Sequence, residues 1–346
     1  MNYSIDLADY GYNGECTPDI ARVSAVHKER YGLITPFGMT YGFLKPGSYM
    51  LGDQPYPTAG DFVRIEFNPS GDSRIIETLP RRSLFSRMEA GPLMREQAVA
   101  ANFDYVLLVT SLNHDFNPRR MERYLTVAFN SGASPVIVLT KADLCPDYQS
   151  KIAEMEITAP GVPVHAVSVY TGLGMDALGQ YARPRATLVL LGSSGVGKSS
   201  LLNALAGSYE MRVNSTRDVD SSKGRHTTTH RQLIMLDSGA MVIDTPGMRE
   251  LGMWCAGDGL DAAFPDVEAV LARGCRFSNC RHESEPSCAV RAALENGELD
   301  PERWRRYQAL QAENRRSDER QALKRERQEH MKGIAMKRKE LKRKGR

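Results

Sequence analysis

Residues Thr187-Leu188-Val189-Leu190-Leu191 run straight into Gly192-Ser193-Ser194-Gly195-Val196-Gly197-Lys198-Ser199, and a helix-forming segment continues from Ser199 to Ala206. An apolar strand, a glycine loop closed by Lys-Ser and a helix together make a phosphate-binding loop in the context it requires. The backbone N–H groups from Gly192 to Ser200 can curl around phosphate oxygens, and the positive end of the helix adds to the attraction. Lys198 is placed to bridge the outer phosphates, acting in catalysis as well as in binding, and the Ser199 hydroxyl to ligate magnesium.

Working outward, Asp244-Thr245-Pro246-Gly247 follows the apolar run Met241 to Ile243, with 45 residues between it and Lys198. At that point Asp244 can hold magnesium through water, and Gly247 can offer its N–H to the terminal phosphate. The polar stretch Lys223 to His230 lies in between, and its threonines suit the magnesium shell. Thr228 is the preferred ligand, with Thr227 and Thr229 left open. Upstream of the loop, Thr140-Lys141-Ala142-Asp143 follows the run Pro135 to Leu139 and matches a base-reading element. A carboxylate at Asp143 accepts from both the ring N–H and the exocyclic amine of guanine, whereas adenine presents the wrong pattern. GTP, with GDP as product, is therefore the expected nucleotide, since buried polar recognition of this kind rejects mismatched analogues by factors on the order of 10⁴. Ser168 follows the run Pro163 to Val167, where a second base-contacting loop belongs. Thr140 stands where asparagine is usual, and its shorter side chain predicts a lost contact to the base and a modest guanine affinity. In an ordinary guanine-nucleotide switch the base reader lies downstream of the glycine loop. Here it lies upstream, so the pocket is circularly permuted, and the chain leaves it from the segment that senses the terminal phosphate.

The 346 residues, 41% hydrophobic and 25% charged, suit a globular chain of two or three domains. No apolar run approaches the roughly 18 residues of a membrane span, and the opening lacks a signal-peptide pattern, so a cytoplasmic protein is expected, as a monomer and with no membrane partner. The net charge of +3 conceals an asymmetry: residues 315–346 carry 14 Lys and Arg against 5 Asp and Glu, a local +9, which leaves −6 for everything before them. A basic arm on an acidic body suits a polyanion, and RNA is the expected one.

From Arg22 to Leu79 five short β-rich runs recur, at Arg22 to Glu29, Tyr31 to Thr35, Gly38 to Leu44, Asp61 to Phe67 and Arg74 to Thr78. Glycine and proline punctuate them, which predicts a small barrel of the OB type. Pro80 to Pro92 reads as a connector. Apolar runs then alternate with helical segments such as Arg119 to Phe129, which argues for a mainly parallel sheet covered by helices, with ligands at the carboxyl ends of its strands. After Gly252 comes Cys275-x4-Cys280-x-His282-x5-Cys288, three thiolates and an imidazole that complete a tetrahedral zinc site with no open position, hence one structural zinc. The segment has little apolar material, so metal binding is expected to supply its folding energy. From about Pro301 the composition favours an exposed helix. The expected division is a polar N-terminal extension (1–20), an OB-like β-barrel (21–82), a circularly permuted α/β P-loop GTPase domain (83–255), a zinc-binding domain (256–300) and a basic helical tail (301–346).

From about Val23 to Cys288 the chain resembles the ribosome small-subunit-dependent GTPase A family, bacterial circularly permuted GTPases. The resemblance rests on Pro57 to Val63, Gln97 to Asp104, Leu139 to Leu144, the glycine loop, Gly224 to Thr229, Asp244 to Gly247 and the cysteine cluster. It implies a role in late maturation of the small ribosomal subunit, with hydrolysis stimulated by that subunit and its rRNA and coupled to release. Many switch GTPases carry a water-orienting glutamine just after the Asp-x-x-Gly segment, but here the residue is Met248, whose thioether cannot orient water. Water positioning and an arginine finger together account for roughly 10⁵-fold in stimulated GTPases, so the isolated protein should turn over slowly. His226 is the nearest replacement as the catalytic group that positions water. Two other readings stay open: a nucleotide-gated RNA-binding checkpoint whose turnover is incidental, and a GTPase acting on another RNA.

Overall fold

A computed structural model of the chain describes residues 4–27, 30–45, 49, 54–88, 96–113, 115–206, 231–244 and 259–316, together with 319 and 323. By contacts the chain divides into two compact units, Met1–Met253 and Trp254–Arg346.

The first unit begins with a five-stranded barrel of β1 (Ile20–Val26), β2 (Tyr31–Thr35), β3 (Gly38–Leu44), β4 (Phe62–Glu66) and β5 (Ser73–Thr78). The strands run in the order β1-β2-β3-β5-β4, and pairing of β4 back onto β1 closes the barrel. Its core is filled by Val23, Leu33, Val63, Ile65 and Ile75, the inward positions of a period-two pattern. The five expected runs all become strands, with ends shifted by a few residues.

The stretch read as a connector, Pro80 to Pro92, holds a strand instead: β6 (Leu84–Met88) pairs with β7 (Glu96–Ala101), just beyond that stretch, as a separate two-stranded sheet. Its second strand, Glu96-Gln97-Ala98-Val99-Ala100-Ala101, has one β-branched residue and three alanines, so its sequence carried no strand signal. Tertiary packing decides the outcome, because Phe85, Val99, Ala100 and Ala101 are all buried.

Beyond the hairpin lie β8 (Tyr105–Ser111), α1 (Pro118–Asn130), β9 (Ser134–Thr140), α2 (Tyr148–Thr158), β10 (Val164–Ala166), α3 (Met175–Gly179), β11 (Thr187–Leu191), α4 (Lys198–Ala206), β12 (Arg231–Met235) and β13 (Met241–Asp244). The strands stand in the order β10-β9-β8-β11-β13-β12, parallel throughout except for β12. This is the covered parallel sheet that the alternation of apolar runs and helices implied. Asn117 caps α1 by accepting from Arg120 N at 3.1 Å, and Pro118 fits the first helical position, where its missing N–H costs nothing.

β12 also pairs antiparallel with barrel strand β1, through Ala25↔Gln232 and Val26↔Arg231, so one eleven-stranded sheet runs from the barrel into the α/β layer. The seam is fixed by Arg22, which is fully buried. Its guanidinium donates to Gly60 O, Tyr10 O, Asn102 O and Thr187 Oγ1, and it lies over the Phe62 ring. Gly60 has φ +90°, and a Cβ there would stand 2.1 Å from Ala101 O, so no other residue fits between the barrel and β7. This accounts for part of the Pro57-to-Val63 motif. The polar opening of the chain is anchored to the same joint: Leu7 is fully buried, the Ser4 and Ile5 N–H groups donate to Pro36 O, and Tyr12 packs against Phe62.

The second unit holds α5 (Gly259–Ala263), α6 (Pro265–Leu271), α7 (Ala289–Glu295) and α8, a helix over 301–316. Phe264, Val267, Val290, Trp304 and Tyr307 form its interior. Arg303 is nearly buried, grips Asp266 with bonds of 2.8 and 2.9 Å and stacks over Phe264 at 4.2 Å. The expected basic helical tail is helical to residue 316, and the rest of it, apart from 319 and 323, lies outside the described residues.

Candidate functional site

Parallel strands all point their carboxyl ends the same way, so Ser111 ending β8, Thr140 ending β9, Ser168 after β10, Gly192 after β11 and Asp244 ending β13 share one rim of the sheet. Residues some eighty positions apart stand on adjoining strands there, and the swapped order of the motifs costs nothing in space. The glycine loop begins where a side chain is impossible: a Cβ on Gly192 would lie 2.1 Å from Val109 O on the adjoining strand. Lys198 opens α4, and its Nζ donates to the carbonyls of Gly192 and Ser193, both at 2.6 Å, which holds the ammonium inside the curl of the loop. Ser199 and Ser200 occupy the first turn of that helix.

The segment Thr140-Lys141-Ala142-Asp143 is tied to the glycine loop by two side chains. Thr140 Oγ1 donates to Val196 O at 2.5 Å and approaches Thr110 O at 3.3 Å, while Lys141 Nζ donates to Gly195 O at 3.0 Å. Lys141 has φ +60°, a left-handed conformation that costs a non-glycine residue roughly 1–2 kcal/mol. That turn starts the short 3₁₀ segment Ala142–Leu144, which carries Asp143. Ala142 N donates to Val167 O at 3.1 Å, and Ser168 Oγ donates to Asp143 Oδ1 at 2.6 Å, joining this segment to the loop after β10 and orienting the carboxylate. Ser168 is itself fixed by the Thr171 N–H at 3.2 Å.

The Thr140 hydroxyl is therefore engaged with protein carbonyls, and a brace to the glycine loop accounts for it better than a contact to the base. Thr140→Val keeps the volume and leaves two buried carbonyls without this donor, a loss of roughly 1–2 kcal/mol. We expect GDP affinity to fall about five- to tenfold by titration calorimetry, with preference over ADP intact. Loss of that preference would instead assign the hydroxyl to the base.

Arg120, near the start of α1, belongs to none of the sequence motifs but reaches the glycine loop. Its Nη1 donates to Ser193 Oγ at 2.5 Å and to Asp115 Oδ1 at 2.8 Å, and its Nη2 to Asp115 O at 2.9 Å. The only signal for it was position, just beyond the carboxyl end of β8. Asp244 is described, whereas His226, Thr227, Thr228, Thr229, Gly247 and Met248 lie outside the described residues.

In the second unit Cys275, Cys280, His282 and Cys288 converge, with all ligand atoms within 4.8 Å of one another. His282 Nδ1 lies 3.6 Å from Cys275 Sγ, 3.6 Å from Cys280 Sγ and 3.3 Å from Cys288 Sγ, and Cys275 and Cys288 Sγ are 3.8 Å apart. A tetrahedral ion with bonds of about 2.3 Å to sulfur and 2.0–2.1 Å to nitrogen would have edges of about 3.5–3.8 Å, so the donor set fits zinc. His282 reaches the cluster from a left-handed turn, φ +62°. Its ring meets Trp304 of α8 edge-on at 5.6 Å, and Cys288 caps α7 by accepting from Arg291 N at 3.5 Å. The cluster is thus built into the helical interior of its unit. Desolvation pushes the Cys280 thiol up to about 11, while the Ala289 N–H, first among its neighbours, holds Cys275 below the usual range. Metal binding must therefore release protons.

Comparison with known proteins gives a consistent picture. Residues 78–254 match the family model described as RsgA GTPase. A small ribosomal subunit biogenesis GTPase RsgA 1 of Listeria monocytogenes is 49% identical over 298 residues, covering 86% of this chain and 84% of that protein. One from Streptomyces avermitilis is 42% identical, covering 90% and 86%. The crystal structure of YjeQ from Thermotoga maritima superposes with a TM-score of 0.66 at 27% identity, over 86% of this chain and 98% of that one. The structure of YloQ, a circularly permuted GTPase, is similar in fold, with a TM-score of 0.61 at 24% identity over 88% and 97%.

Proposed function

The chain belongs to the RsgA GTPase family, a family of GTP hydrolases, and from that premise we propose that it binds the small ribosomal subunit, acts in its late maturation, and leaves when the subunit has stimulated hydrolysis. The observation that carries this reading is the brace between base reader and glycine loop, Thr140 on Val196 and Lys141 on Gly195, with Ser168 orienting Asp143. It makes one pocket out of motifs in permuted order.

In that pocket Asp143 reads the guanine edge, backed by Ser168, and the N–H groups from Gly192 to Ser200 hold the phosphates. Lys198 turns from the loop carbonyls to the outer phosphate oxygens. Magnesium, on Ser199 and Thr228 with Asp244 behind water, would neutralise charge between the outer phosphates. Gly247 offers its N–H to the terminal phosphate, and His226 orients the attacking water in place of the side chain that Met248 lacks. The ion at Cys275, Cys280, His282 and Cys288 is zinc, and it is structural because four protein ligands leave no open position. The protein acts as a cytoplasmic monomer that contacts rRNA through barrel, zinc module and basic tail, and the five-part division given above describes its domains.

Co-sedimentation with purified small subunits tests the proposal. A non-hydrolysable GTP analogue should hold the protein on the subunit and GDP should not. Subunits should raise turnover on the order of 10³-fold or more, the range a partner supplies in stimulated GTPases. Lys198→Ala should abolish that stimulation. Equal pelleting with both nucleotides and no stimulation would refute the coupling.

A further inference from the structure

Strand β3 pairs with β2 from Gly38 to Gly42 and with β5 from Gly42 to Leu44, which holds its outward side chains in a fixed row. Its alternate residues Met39, Tyr41 and Phe43 face outward and are 74%, 43% and 36% exposed. At about 3.4 Å per residue they stand roughly 6.8 Å apart in a row. In register beside Tyr41 is Gly32, which offers no side chain to cover it, and beside Phe43 is Arg74. The guanidinium of Arg30 lies 3.9 Å from the centre of the Tyr41 ring, and the His27 ring is 6.3 Å away. Lys45 follows at the end of the row. The carboxylates facing this surface are Asp72, paired with Arg30, and Glu66, shared by Lys45 and Arg74. Three cations against two anions leave a positive excess on a body whose net charge, apart from the tail, is −6.

We propose that the outer face of β3 is a stacking platform for unpaired RNA bases, with Phe43 and the ring face of Tyr41 that Arg30 leaves open receiving bases, and with Arg30 and Arg74 meeting the adjoining phosphates. The proposal rests on the reading that the protein binds rRNA and specifies which chemistry of that RNA the barrel takes. Flat π faces interleaved with guanidinium groups suit single strands, whose bases can be splayed onto aromatic rings. A duplex keeps its bases stacked internally and offers this surface only its backbone.

The test is fluorescence anisotropy of the full-length, metal-loaded protein with an unstructured single-stranded RNA 12-mer and with a duplex of equal length. Tyr41→Ala and Phe43→Ala should each weaken single-strand binding roughly 5- to 100-fold, the loss of one stacked base. Duplex affinity should change less than twofold, and the slope of affinity against salt should stay the same because no charge is removed. Tyr41→Trp should restore binding, and basal GTP turnover should be unaltered in all of them. Equal losses on both RNAs, or single-strand affinity unchanged while subunit binding falls, would overturn the proposal, the latter by making the occupant a protein. If the wild-type protein bound the 12-mer as described but ignored small subunits, the proposed function would fail and the platform would stand.

Discussion

Asp143→Asn should exchange the nucleotide that this protein hydrolyses. The wild-type carboxylate has only acceptors, which match the two donors on the guanine edge, the ring N–H and the exocyclic amine. An asparagine keeps one acceptor and puts an amide donor in place of the other. Against guanine that donor meets another donor at a contact that the bound base covers from water, and efficiency with GTP should fall on the order of 10³- to 10⁴-fold. Xanthine carries a carbonyl where guanine carries the amine, so XTP should recover to within about tenfold of the wild-type rate with GTP. The Ser168 hydroxyl, now bonded to Asp143 Oδ1 at 2.6 Å, can bond an amide oxygen equally well, so the substitution should not disturb the loop. Steady-state turnover with both nucleotides checks this. Parallel losses on GTP and XTP would mean that Asp143 supports structure without reading the base.

Removing the metal should have the second large effect. Three sulfurs and one imidazole nitrogen, all within 4.8 Å of one another, are crowded donors, and two of the four sit on the interior: Cys288 caps α7 and His282 packs against Trp304. Structural zinc sites contribute apparent binding free energies of roughly 10–16 kcal/mol in small peptides, comparable to the whole stability of an ordinary domain. Chelation under reducing conditions should therefore unfold the second unit, seen as loss of helix signal and of Trp304 fluorescence protection. Cys280→Ser should yield protein with less than one bound zinc per chain. Identical melting with and without chelator would show that α6, α7 and α8 hold together without the ion.

Much of this architecture was readable in advance because its signals are local. The strands of the barrel and of the parallel sheet announce themselves as short apolar or alternating runs between turn residues, and the glycine loop carries its own strand and helix. The ligand spacing from Cys275 to Cys288 is likewise local. What escaped depends on partners far along the chain. Arg22 in a strand reads as a solvent-facing residue, yet it is fully buried because carbonyls from residues 10, 60 and 102 converge on it. Strand β7 has little β propensity and pairs with β6 because both are packed. Arg120 meets Ser193 only because β8 and β11 are adjacent in the sheet, 73 residues apart in sequence. Thr140 reads as a truncated base contact, but its hydroxyl reaches the loop across 56 residues.

The central claim is that two motifs in exchanged order form one guanine-nucleotide pocket, and the most direct measurement is a crystal structure with GDP and magnesium. The guanine ring N–H and amine should lie about 2.7–3.0 Å from the Asp143 carboxylate, and Lys198 Nζ should have left the Gly192 and Ser193 carbonyls for a β-phosphate oxygen. Phosphates bound on the glycine loop with the base turned away from Asp143 and Ser168 would contradict the account.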